Sequence, residues 1–229
     1  MDADALVGLL QLADGLFPAG AYAHSFGLET AVQDGDVRGA ADVLGFLRVL
    51  LEHGAGTSDA VAVAAGVRAA GDADLAAALA IDERLDAMKP ALELREASRQ
   101  MGRQTLRVAA QLRPGAPVAR LFAAVERGET PGHHALAFGF AAAAAGAGPR
   151  EAAAGFLYST AAAVVGASLR LLPLGQLEGQ RVLDALRPAI ARLAARAAES
   201  GLDELCAFTP ALEIAAMRHA RLDARLFRS

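Results

Sequence analysis

ALAFGFAAAAAGAG, residues 135–148, is the most apolar run in the chain, and it decides the fold class. No polar face interrupts it, so a helix formed here is enclosed on all sides. It is too short and too poor in large side chains to span a bilayer, which needs about 20 apolar residues. The reading is therefore a buried, Ala-rich helix. Alanine is about a quarter of the 229 residues and is the best helix former.

Outward from that run, apolar residues recur at helical spacing over 4–13, 25–33, 39–56, 58–70, 72–87, 90–112, 117–127, 133–147, 150–171, 175–199 and 204–222. Gly35, Gly71-Asp72, Pro114-Gly115, Gly128, Gly148-Pro149, Pro173 and Gly201 punctuate them. Thr209-Pro210 reads as an N-cap followed by proline at the first helical position. No stretch alternates like a strand, and no linker divides the chain. The expectation is all-α: a single globular domain, residues 1–229, of roughly ten helices, with a C-terminal binding tail over about 218–229.

Composition excludes several function classes. The net charge of −4 leaves no general footprint for nucleic acid. Lys89 is the only lysine and no GxxxxGK[ST] segment occurs, so a P-loop is excluded. Cys206 is the single cysteine, which rules out an internal disulfide and a Cys-rich zinc site. With no basic n-region before an apolar stretch, the expected location is cytoplasmic, with no membrane association.

Three segments concentrate the chemistry. In DGLFPAGAYAHSFGLE, residues 14–29, Phe17-Pro18 ends one helix, and Ser25 stands where an N-cap belongs, four residues before Glu29. The segment reads as a packed corner, as a docking surface presenting Phe17, Pro18, Tyr22 and His24, or as a hydrolase centre. A hydrolase would use Ser25 as nucleophile, His24 as base and Arg95 beside them. A G-x-S-x-G elbow needs a preceding strand, which is missing here.

PALELREASRQMGRQTLR, residues 90–107, sets Arg95, Arg99, Arg103 and Arg107 one turn apart, with Glu96 among them. This is either a solvated arginine face or an electrostatic dock for an acidic partner. Ser98 and Gly102 give the same helix a small strip that a neighbour could approach closely. PALEIAAMRHARLDARLFRS, residues 210–229, ends in Arg218, His219, Arg225, Leu226, Phe227 and Arg228, a basic and apolar tail suited to binding. No two of the five histidines have HxxxH spacing. Of the adjacent His133 and His134, at most one is expected to turn inward, so no metal or other cofactor is expected.

Five collinear stretches resemble the urease accessory protein UreF family. They are LLQLADGLFPAGAYAHSFGLE at 9–29, LREASRQMGRQTL at 94–106, HHALAFG at 133–139, SLRLLPLGQLEGQ at 168–180, and the ending with MRH at 217–219 and RLFRS at 225–229. Two departures are Tyr22, where Phe is usual, and Ala220 to Ala224, where the family often carries Glu-Gln-Tyr-Ser-type residues. The resemblance implies an all-α, non-enzymatic homodimer that binds UreD (UreH), with the pair recruiting the GTPase UreG. Such an assembly delivers nickel to apo-urease and modulates GTP-dependent insertion. It further implies that Arg170 and Gln176, in the fourth stretch, belong to the partner-binding set with the corner, ridge and tail residues named above.

Overall fold

The computed structural model describes residues 1–228 and bears out the all-α reading; Ser229, the end of the expected tail, lies outside the described residues. Eleven α-helices follow one another among the described residues, with no strand. They are α1 (Ala3–Ala13), α2 (Leu28–Gln33), α3 (Ala40–Leu50), α4 (Asp59–Gly71), α5 (Leu75–Ala87), α6 (Leu92–Leu112), α7 (Pro117–Glu126), α8 (His134–Ala144), α9 (Pro149–Leu171), α10 (Gln176–Glu199) and α11 (Pro210–His219). A single π-helical turn, Leu51–Ala55, continues α3.

The apolar run forms α8, which is buried as expected and lies at the centre of the fold. Its residues from Ala135 to Ala142 are all buried, against α4, α6 and α9. Small side chains make this possible. At the α4–α8 crossing a Cβ on Gly139 would stand 2.5 Å from the Val63 carbonyl oxygen. The two backbones meet there without an intervening side chain, and the packing leaves no room for one. The helix α9 is long and apolar enough to cross a bilayer, yet half of its most apolar window is buried inside the protein.

The boundaries differ from the periodicity at two places that matter for the site. The helix expected from residue 25 starts only at Leu28, because Phe26 (φ 55°) and Gly27 (φ 86°) are both left-handed and break the helical backbone. Gly27 is also where α11 comes closest: a Cβ there would lie 3.2 Å from the Ala216 nitrogen and the Leu212 oxygen. Ser25 is therefore not the N-cap, although its Oγ still accepts the Glu29 N–H at 3.4 Å. The last helix spans 210–219 rather than 204–222. Thr209 is its N-cap and Pro210 its first residue, as expected.

Candidate interaction site: a clasp between the two ends of the chain

Glu29, in the first turn of α2, anchors the site. Its carboxylate is buried, 2% exposed, and is surrounded by donors from the far end of the chain. Oε1 accepts the Leu226 N–H at 2.7 Å; Oε2 accepts the Phe227 N–H at 3.1 Å and His219 Nε2 at 2.9 Å. Burial opposes ionisation, but the two amides and His219 outweigh it and hold Glu29 below the usual carboxylate range.

The other ring nitrogen of His219 meets Glu93 Oε2 at 2.9 Å, and Glu93 Oε1 accepts Arg225 at 3.0 Å. The ring therefore bridges Glu29 and Glu93, and Arg225 closes the cluster on the second Glu93 oxygen.

A second layer holds the tail from above. The Arg170 guanidinium, from the end of α9, lies 3.8 Å from the Tyr22 ring centroid and 4.1 Å from that of Phe227. It also donates to the Tyr22 carbonyl at 2.9 Å. Stacking on both rings uses the planar charge of arginine in a way lysine cannot reproduce. The Arg228 N–H donates to the Ala23 carbonyl at 2.8 Å, and Arg218 forks onto Asp34 at 2.6 and 3.0 Å. Residues 22–29, 93, 170 and 218–228 thus form one clasp.

The remaining candidates lie around it. Pro18 is exposed, Phe17 is half-buried, and Tyr22 is 69% exposed despite its stacking. His24 and Ser25 are buried, which leaves Ser25 0% exposed at the centre of the hydrolase alternative. Arg95 turns inward to donate to the Lys89 carbonyl at 3.2 Å, and its Nε is buried without a partner.

The rest of the arginine ridge divides. Arg99 pairs with Asp86 and Glu96, and Arg103 with Glu126 at 3.1 Å. Arg107 and the Arg228 guanidinium have no carboxylate partner among the described residues, and they line a groove with Gln100, Gln104 and Pro18. Gln176 opens α10 as an exposed residue, and none of the hydrogen bonds of the clasp involves it.

Behind the ridge, the small strip on α6 receives the start of α8. His133 and His134 both turn inward, contrary to the expectation for adjacent histidines. They do point different ways, but α8 is enclosed, so both directions lead to the interior. The Ser98 Oγ accepts the His134 N–H at 3.3 Å and bonds His133 Nδ1 at 3.0 Å; His133 Nε2 meets Asp86 at 2.9 Å. Desolvation lowers the His133 pKa, so the neutral ring accepts from Ser98 and donates to Asp86. Asp82, fully buried on α5, accepts the Gly132 and His133 N–H groups and the Thr130 hydroxyl.

Desolvation also lowers the His134 pKa to about 4. The sign follows from proton uptake. The unfolded chain protonates this histidine near pH 6.5 and the folded one only near 4, so between these values the unfolded state binds more protons. Stability is expected to fall as pH drops from 6.5 to 4, by up to roughly 3 kcal/mol from this residue. Denaturant unfolding of wild type and His134→Leu across that window checks it. His24 and His133 add slope of the same sign in both proteins, so identical slopes would remove His134 from the account.

Glu93, Asp34, Asp82 and Asp86 are the residues that sequence reasoning missed. Each finds its partner far along the chain, and spacing carries no trace of such pairs.

The clasp is a packed corner on an all-helical scaffold; among the described residues no group of three His, Cys, Asp or Glu side chains is arranged to hold a metal ion. The UreF family model matches residues 37–187. The chain is 38% identical over 213 residues to the urease accessory protein UreF of Methylobacterium radiotolerans, covering 93% of this chain and 92% of that protein. It is 34% identical over 229 residues to that of Corynebacterium glutamicum, covering all of both, and 32% identical over 221 residues to that of Trichodesmium erythraeum, covering 96% and 95%. The chain belongs to the UreF family.

Proposed function

We propose that this protein is a bridging component of urease maturation in the cytoplasm. It joins UreD (UreH) to the GTPase UreG as a homodimer and modulates GTP-dependent nickel insertion into apo-urease, with no turnover of its own. Relatives that align over nearly their whole length are named urease accessory proteins, which supports this reading. The observation that carries it is the clasp. It leaves Tyr22 (69% exposed), Leu226 (59% exposed) and the unpaired Arg107 and Arg228 around one corner, the aromatic and arginine composition of an interface. Arg107 and Arg228 suit an acidic partner surface, because no side-chain carboxylate of the described residues need be displaced.

Size-exclusion chromatography with light scattering, adding cognate UreD, then UreG, nickel and GTP, tests the role. Stepwise growth to a symmetric complex is expected; elution of the protein alone under every condition would refute it. Tyr22→Ala is expected to weaken assembly by about tenfold or more with helicity unchanged. A variant that assembles like wild type would remove Tyr22 from the interface.

A further inference from the structure

Beneath the clasp lies a cavity of about 140 Å³, walled mainly by apolar side chains, among them Phe26, Leu85, Met101 and Phe156. We propose that it binds an uncharged, single-ring molecule carrying one hydrogen-bonding head, with that head on the His134 imidazole. Nothing in the accessory role above requires this site.

Three observations define the occupant. The first is size. An apolar cavity of about 150 Å³ accepts benzene, so a volume of 140 Å³ suits one six-membered ring.

The second is the His134 ring. It packs against Phe138 (centroids 6.1 Å apart) and Phe156 (5.4 Å) and lines the cavity. Among the described residues, its ring nitrogens meet no protein donor or acceptor, while the backbone N–H is spent on Ser98. A neutral imidazole offers one donor and one acceptor, so it can serve a hydroxyl, an amide or a ring N–H. The other cavity hydroxyls are already engaged: Ser58 on the Gly54 carbonyl, Ser159 and Thr160 on that of Phe156.

The third is charge. Lys89 and Asp59, both in the wall, form an ion pair at 2.8 Å with side chains 19% and 15% exposed. Glu213, the other carboxylate in the wall, accepts the Thr209 hydroxyl at 3.3 Å, and an anionic ligand would have to break the Lys89–Asp59 pair in a poorly solvated place, which penalises it heavily. A neutral ligand leaves it intact.

The cavity also touches the clasp through Phe26, and through Thr209 and Glu213 it touches the start of α11, the helix that carries Arg218 and His219. The π-helical turn supplies Gly54 and Ala55 to the wall, and such turns are frequent at functional sites. Because the occupant binds the closed form, it stabilises the packing of α11 on the corner.

Phenol and benzene are the probes, with the full-length protein. A purely apolar cavity favours benzene, since the phenol hydroxyl would lose its hydration without return. The expected result is that phenol binds at least as tightly as benzene by calorimetry and shifts the His134 ring resonances in the wild-type spectrum. In His134→Leu, phenol should weaken at least tenfold while benzene is retained; His134→Gln, which keeps a hydrogen-bonding head, should retain phenol. Binding of neither probe to wild type overturns the site. Phenol binding with an unmoved His134 resonance overturns the assignment of the head, without relying on any variant.

Discussion

Glu29→Ala is expected to release the C-terminal segment and lower the unfolding free energy by about 3 kcal/mol or more. The substitution removes the acceptor of three donors at once: the Leu226 and Phe227 amides and His219 Nε2. It also leaves His219, 0% exposed, with Glu93 as its remaining carboxylate partner. Glu29→Gln is a sharper probe. One amide oxygen can accept, but the NH₂ group must face a donor, so the loss should approach that of alanine. Denaturant unfolding gives the stability, and hydrogen exchange at Leu226 and Phe227 reports the tail. Protected tail amides in Glu29→Ala would show that the Arg170 stack holds the segment alone. Under the scaffold reading, the same variant should lose partner binding at least as severely as Tyr22→Ala.

The second large effect is expected at Gly102, where alanine should cost about 3 kcal/mol despite its better helix propensity. A Cβ there would stand 2.0 Å from the Gly132 oxygen, 2.6 Å from the His133 carbonyl carbon and 2.7 Å from the His134 nitrogen. All three are backbone atoms, tied down by Asp82 and Ser98, and cannot swing aside. Gly45 in α3 and Gly166 in α9 serve as controls, since a Cβ at either meets nothing within 4 Å. Alanine at those positions should stabilise by about 0.5–1 kcal/mol. Thermal unfolding of the three variants decides the matter: a neutral Gly102→Ala would mean that α8 can move away from α6.

Features that rest on local physics were readable from the sequence. An apolar run without a polar face must be enclosed, and α8 is. Ser98 and Gly102, one turn apart, announced a close approach, and the start of α8 fills it. Thr209-Pro210 gave the start of α11 by capping rules alone.

What stayed hidden depends on partners distant in the chain. Nothing around Glu93 marks it as the acceptor of both Arg225 and His219, because the three meet only after folding. The ridge looked uniform at four-residue spacing, yet Arg95 is drawn inward, Arg99 and Arg103 are paired, and Arg107 is left over. The two successive left-handed residues, Phe26 and Gly27, were half visible: glycine invites positive φ, but phenylalanine does not.

The clasp has a consequence for biosynthesis. Glu29 leaves the ribosome early, whereas its donors at Leu226 and Phe227 are encoded 197 and 198 residues later. Until His219, Leu226 and Phe227 have emerged, this carboxylate lacks its three donors, and contacts of such long separation are the slowest to close. A chain that stops before Leu226 is expected to fold its central helices and still present an open corner. Closure of the corner therefore waits on Leu226 and Phe227, and the surface offered before they arrive differs from the one offered after.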